Sequence, residues 1–535
     1  MKQTMEQNPF LQAAYAVLPR VASFFDTDAR ARTYGVADRH YASWCTIDFA
    51  NGTYQGAAFG LARLWEADAF PVWFDSGGAL ALIKSAFCGT ASICRSDGSL
   101  EEAFPFERSF CVTALGAHDL LQAYAILHRR GAATADLLES VRPLIAFLLR
   151  GDERHGIISN HLATAAGALF LWSRLTGEGG AECRGLALLE RIRRHASPEG
   201  WFREYDGADP GYQTLCLHYL VLLHQLRPDL GLESDLRKAS VFLSHFAMPD
   251  GSFGGIYGSR RTRLYYPSSF ALLAPSIPEA AALDGFMRSA VERQHCVTLA
   301  AMDDLNLVPM FNAYAVAGTA QAGDCGPGAS LPCLDPGFCK KDFPQAGLLV
   351  RATPDHYTVI STRLGGAFET AARGGGVRKA DGGSILQRRN VFWSTQGIDP
   401  EAVVKVDDQA VIVTCRPSRV LRRRPSGAAF ICLRLLAATV MRVPTVSHAV
   451  KRLLAYLLIS RQSRIPVRIC RSIRLDGPLA HCDATVEGGV PPGMEFTPDS
   501  GDFRSIHMAS AGYWQSGESL QAPADSRKTG GIPTT

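Results

Sequence analysis

Asn160 and His161 are the residues of this chain whose types and spacing point most directly to chemistry. They close the run His155-Gly-Ile-Ile-Ser-Asn160-His161 and lead into an apolar, small-residue stretch from Leu162 to Gly177. An imidazole moves protons near neutral pH, and a side-chain amide holds a carboxylate through its N–H donors. The pair suits a uronic acid, which has a weakly acidic C5 proton beside an ionised carboxylate. The competing reading is local. Ser159 or Asn160 caps the helix, and His161 is a satisfied structural histidine.

Two later runs carry the remaining candidates. Trp201-Phe-Arg203-Glu-Tyr205 leads through Asp206 and Asp209 to Tyr212, an aromatic and ionisable loop before an apolar helix. Tyr257-Gly-Ser-Arg260-Arg261-Thr-Arg263-Leu-Tyr265-Tyr266 sets three guanidinium groups beside tyrosines. Arginine suits bidentate recognition of carboxylate or sulfate. Three close positive charges also repel unless an anion is near. Trp201, Tyr212, Tyr265 and Tyr54 supply aromatic surface for sugar rings. The alternatives are that Tyr205 and Tyr212 belong to a helical core, and that Asp206 and Asp209 only shape turns.

The elements that must position these residues fall into two textures. Residues 10–320 read as helix after helix, with apolar residues at helical spacing over 114–128, 137–149, 162–175, 212–226 and 236–246. Gly-rich loops recur between them, among them Asn51-Gly-Thr-Tyr-Gln-Gly56 and Pro249-Asp-Gly-Ser-Phe-Gly-Gly255. The recurrence is a repeat signature, and the loops resemble the inner rim of an (α/α) toroid. An open helical solenoid is the alternative. Beyond Pro332, short β-branched runs bounded by Gly, Pro or Asp predict an antiparallel β-sandwich. The expected division is a toroid over 1–325, a β domain over 326–515 with a basic helical insertion near 425–460, and a disordered tail over 516–535.

Composition narrows the classes. A 535-residue chain with 47% hydrophobic and 20% charged residues is globular, not disordered. A net charge of +4 is too small at this length to argue for nucleic acid. No run of about 18 uninterrupted apolar residues marks a membrane span. The first 19 residues lack a secretory pattern, which gives a cytoplasmic expectation. The cysteines show no CxxC pair, and Cys325, Cys333 and Cys339 are too irregular for a metal site. No metal or other cofactor is called for. The basic charge is uneven. From Gln409 to Leu475 there is no acidic residue, while Arg416, Arg422, Arg434, Arg442, Arg452 and Arg474 are among fourteen basic ones. Its middle reads as two basic amphipathic helices broken at Pro444. The segment 416–474 therefore has the makings of a contact with a membrane surface or an anionic polymer, or of a solvated face over a core.

A toroid followed by a β-sandwich, with Asn160-His161 at a loop–helix junction, resembles the polysaccharide lyases of the heparinase II/III and alginate-lyase type. The resemblance implies that Asn160 and an arginine neutralise the uronate carboxylate, that His161 takes part in proton abstraction, and that a tyrosine such as Tyr205 acts as acid or base. It implies an anionic poly- or oligosaccharide substrate and elimination without water. Lyases of this type usually carry a secretion signal, and none is visible here. Three other readings compete. A toroid glycoside hydrolase needs two flanking carboxylates, for which Glu204, Asp206, Asp209, Asp303 and Asp304 are candidates. A uronate epimerase shares the proton abstraction without the elimination. A non-catalytic polysaccharide-binding protein of exopolysaccharide assembly uses the basic segment alone.

Overall fold

The computed structural model describes residues 7–154, 156–320, 329–420, 426–455 and 463–505. His155, Cys325, Arg422 and the tail over 516–535 lie outside the described residues.

Among the described residues, twelve α-helices of six residues or more form the first part: α1 (Pro9–Ala22), α2 (Ala57–Glu66), α3 (Ser76–Ile93), α4 (Phe110–Arg129), α5 (Ala135–Arg150), α6 (Ser159–Thr176), α7 (Gly179–His195), α8 (Pro210–Leu226), α9 (Glu233–Ser244), α10 (Ser268–Leu273), α11 (Pro278–Glu292) and α12 (Asp304–Thr319). Each even-numbered helix packs on the next even-numbered one, and α12 packs back on α2, so six inner helices close a ring. The odd-numbered helices lie outside in two arcs, α3–α5–α7 and α9–α11–α1. This is an (α/α) toroid with a closed inner ring and an outer ring in two arcs.

Residue chemistry sorts the helices between the rings. The outer helix α5 buries Leu137, Val141, Leu144, Ile145 and Leu148, one stripe at helical spacing. The inner helix α6 buries residues on all sides, including Ala163, Ala165, Ala166, Gly167 and Ala168. Small residues are required there because neighbouring helices press on both flanks. A Cβ on Gly167 would stand 3.0 Å from the His118 ring of α4. Helix α4 is long and apolar enough to cross a membrane, but it is an inner-ring helix with most of its surface buried. Because the chain alternates direction, all six inner helices start at one end of the toroid. The loops at that end are tied by isolated bridges, Asn51 to Glu101, Leu100 to Ser109, and Ile158 to Glu204.

Among the described residues thirteen short strands follow, all paired antiparallel. The first sheet runs β1 (Lys340–Phe343), β2 (Leu348–Ala352), β3 (His356–Ser361), β4 (Ala367–Ala372) and β5 (Arg378–Asp381) in sequential order. Strand alternation gives it two buried faces. Val350, Tyr357 and Val359 join the helical core, and the Tyr357 hydroxyl donates to the His245 carbonyl at 2.9 Å. Leu349, Ile360 and Phe368 face Val411, Val413 and Ile473 of a second sheet. That sheet has the order β12 (His481–Val486), β11 (Ile469–Arg474), β9 (Ala410–Cys415), β8 (Val403–Val406). A third sheet orders β10 (Ser418–Val420), β7 (Val391–Ser394), β6 (Ile385–Arg388) and β13 (Glu495–Thr497).

A buried ion cluster fastens sheet to helices. Glu369 of β4 is fully buried and accepts from Arg263 at 3.0 Å, from the Ile256 amide at 2.8 Å, and from Arg378. Burial alone would raise its pKa; Arg263 and Arg378 outweigh that and hold it at about 2. Glu369→Gln removes the buried carboxylate that Arg263 and Arg378 share, leaving Arg263 to Asp502, and breaking one side of a buried pair costs about 3 kcal/mol or more. Denaturant unfolding should show that loss at neutral pH. Since the folded pKa is depressed, the contribution is full above the unfolded value and fades as pH falls toward about 2. The variant's deficit should therefore shrink in acid.

The basic insertion forms two helices, α13 (Gly427–Ala438) and α14 (Pro444–Ala455), between β10 and β11. The break at Pro444 is found, with Pro444 as the first residue of α14. Helix α13 differs from the expected basic amphipathic helix. Its single cation, Arg434, turns inward to Asp48 at 3.1 Å, and its outward side is apolar.

Candidate functional site

Three loops from successive hairpins meet at the end of the toroid where the inner helices begin. The first precedes α6. Its Ile157 carbonyl accepts from the Tyr205 amide at 2.9 Å, and the Ser159 amide and Oγ both donate to the Arg203 carbonyl, at 3.1 and 2.8 Å. The second loop, 203–209, is laced to the third by the Ser259 amide on the Ala208 carbonyl (2.8 Å) and by Ser259 Oγ on the Glu204 carbonyl (3.0 Å). Asp209 completes the tie. It caps α8 through the Tyr212 amide at 3.0 Å, accepts from the Arg260 amide at 2.8 Å, and accepts from the Thr262 hydroxyl. Asp209 is thus more than a turn former; it holds two loops in register.

This lacing sets four side chains around one point. Asn160 does not cap its helix, and neither does Ser159; no side chain caps α6. Asn160 Nδ2 instead donates to Glu204 Oε2 at 2.8 Å. His161 Nδ1 lies 2.7 Å from Glu153 Oε2. The Arg260 guanidinium sits over the Tyr205 ring at 4.5 Å and near the Tyr212 ring at 5.3 Å. His161, Tyr205 and Tyr212 are partly exposed, while Glu153, Glu204 and Arg260 are buried beneath them. Tyr205 and Arg261 both adopt φ of +56°, the left-handed region that costs a non-glycine residue free energy. Strain of that kind at two loop tips is what the interlocking backbone bonds sustain.

The electrostatics divide the roles. Burial raises Glu204 to about 7, against the pull of His161 and Arg260. Burial also raises the Tyr205 phenol to about 12, again opposed by Arg260 and His161. The His161 ring is held well above its ordinary value, because Cys111 and Glu153 beside it outweigh the burial that opposes its charge. Burial pushes the Cys111 thiol up. At neutral pH the cleft therefore presents an imidazolium, a guanidinium, a neutral phenol and a carboxyl near its midpoint. The pairing with Glu153 at 2.7 Å favours the protonated ring, a form that suits binding an anion.

Five of the sequence candidates are placed elsewhere. Tyr265 is core, stacked on Phe270 at 5.5 Å. Tyr54 is buried against Phe24 at 5.0 Å. Trp201 is buried, and its Nε1 donates to Glu199 at 2.9 Å. Arg263 belongs to the Glu369 cluster, and Arg261 donates to the Gln396 carbonyl at 2.7 Å. Glu369 and Asp502 supply the anion that Arg263 requires, and of the three arginines Arg260 stands in the cleft. Arg203 is exposed and turns back to the Tyr205 carbonyl at 2.8 Å, bracing the loop. Glu153, Glu204 as a partner of Asn160, and Cys111 were not identified as parts of the site. Of these only Glu204, next to Tyr205, had a local signal. Of the carboxylates suggested for a hydrolase, Asp303 caps α12 and Asp304 pairs with Arg20. Among the described residues, no group of three or more His, Cys, Asp or Glu is placed to hold a metal ion.

No protein-family model matches the sequence, and no curated protein is similar to it. Among solved structures, the chain is similar to a Streptomyces coelicolor A3 chondroitin AC lyase in complex with chondroitin sulphate, at 12% identity over 77% of this chain and 67% of that one, with a TM-score of 0.45. A Paenibacillus xanthan lyase is similar at 10% identity over 77% of this chain and 46% of that one, with a TM-score of 0.46. A family 76 glycoside hydrolase from a Bacteroides thetaiotaomicron strain is similar at 10% identity over 59% of this chain and 78% of that one, with a TM-score of 0.41.

Proposed function

We propose that the cleft carries out β-elimination on a uronate-containing poly- or oligosaccharide, a carbon–oxygen lyase reaction. The observation that carries this reading is the convergence of Asn160, His161, Tyr205 and Arg260 from three separate loops. The Arg260 guanidinium, the His161 imidazolium and the second N–H of Asn160 receive the uronate carboxylate. Neutralising it stabilises the enolate that forms when the C5 proton leaves, and each such donor contributes on the order of 3 kcal/mol. Glu204, with its pKa of about 7, takes that proton. The C5–H electron pair becomes the new C4–C5 double bond, the C4–O bond breaks, and the Tyr205 phenol protonates the departing oxygen. Transfer of the proton from Glu204 to its chain neighbour Tyr205 resets the cleft, with no water consumed.

The test is incubation with a panel of uronate polymers, following the ultraviolet absorbance of the conjugated uronate product and the release of reducing ends. Rising absorbance in step with new ends is expected. New ends without absorbance would replace the reading with hydrolysis, and a changed C5 configuration without new ends would replace it with epimerisation.

A further inference from the structure

Helix α13 breaks the rule by which surface helices turn their apolar stripe inward. Phe430, Ile431, Leu435 and Leu436 face out, with Ile431 62% and Leu435 61% exposed. Val440 and Val443 in the following turn and Leu453 of α14 are exposed as well. The inward side is already committed to the toroid. Arg434 pairs with Asp48 and lies over the Phe49 ring at 5.4 Å; Arg442 lies over Phe106 at 5.1 Å; Arg108 donates to the Arg442 carbonyl at 2.7 Å; Ser447 donates to the Phe106 carbonyl at 3.1 Å. These contacts hold the hairpin on loops preceding α2 and α4, at the same end of the toroid as the cleft. Trp44, four residues before Asp48, is 55% exposed on that loop.

From this placement we propose that the α13–α14 hairpin docks the protein on an anionic membrane surface, with the outer side of α13 seated among the acyl chains. Two independent observations select that occupant. The first is the exposed aliphatic and aromatic set, which a hydrated polysaccharide has no means to cover. The second is charge: residues 409–475 hold no acidic side chain, and Arg419, Arg452 and Arg468 are exposed with no carboxylate in ion-pair reach among the described residues. Twelve residues make a helix of about 18 Å, too short to span a bilayer core of about 30 Å. Lying in the interface with basic residues at the headgroups is the geometry such a helix suits. The cleft would then open beside the membrane, within reach of a saccharide carried on a lipid.

Vesicle flotation of the full chain tests this without any turnover, so it stands apart from the lyase reading. Binding to phosphatidylglycerol-containing vesicles is expected, with little binding to phosphatidylcholine alone. Binding should weaken in 1 M salt, where the screening length is about 3 Å. Ile431→Asp with Leu435→Asp should weaken it more than about tenfold, leaving thermal stability and turnover of a soluble oligosaccharide unchanged, since both side chains are exposed. No binding to anionic vesicles would overturn the proposal. So would concentration-dependent dimers that the double variant abolishes, which would make a second copy the cover. Binding to a soluble polyanion that matches the vesicle affinity and ignores the double variant would equally overturn it.

Discussion

Tyr205→Phe is expected to lower kcat/KM on a uronate polymer by on the order of 10³-fold, the scale of a lost general acid, with no change in thermal midpoint. The phenol is partly exposed at the cleft rim, and its backbone, not its hydroxyl, carries the Ile157 hydrogen bond that laces the loops. The phenylalanine ring keeps the stacking surface for Arg260 at 4.5 Å. Only the proton is removed. Because burial holds the phenol at about 12, it is protonated across the working range and contributes as a donor. The defect should therefore sit in kcat rather than KM, and should lessen on substrates whose leaving oxygen is already a good anion, such as an aryl uronide. Equal loss on both kinds of substrate would place Tyr205 in binding instead.

The sequence made the toroid legible because ring position leaves a compositional trace. Inner helices such as α6 are small and apolar on all sides, outer helices such as α5 carry one stripe, and both periods survive in the bare letters. Four-residue and three-residue strands such as β6 and β10 leave no such trace; their partners, β13 and β7, lie far along the chain. The cleft was half legible for the same reason. Asn160, His161 and Tyr205 lie in loops whose chemistry is local. Which of Arg260, Arg261 and Arg263 faces the cleft is settled by Glu369, more than a hundred residues away, and by the Gln396 carbonyl. Tyr265 looked like surface because it follows arginines, yet the turn at Arg261 sends the chain back into the ring, where Phe253 and Phe270 enclose it. Glu153 has no signal at all. Its value lies in a 2.7 Å approach to His161 that spacing in sequence does not announce.

That approach sets the second large effect. His161→Gln is expected to lower kcat/KM by about 10² to 10³-fold, the cost of one lost charge-stabilising donor. The more discriminating measurement is the pH profile of the wild type beside Glu153→Gln. If the imidazolium binds the carboxylate and Glu204 accepts the proton, activity rises through about 7 as Glu204 ionises and falls again once His161 loses its proton. Removing the Glu153 charge takes away a partner of the imidazolium, so the His161 pKa falls and the alkaline limb moves to lower pH. The acid limb, set by Glu204, stays in place because His161 is still protonated there. The active window narrows from its alkaline side. Were His161 the base, the same substitution would free it of its proton earlier and extend activity toward acid. The two roles thus predict movement of different limbs from a single carboxyl-to-amide change, and which limb moves decides between them.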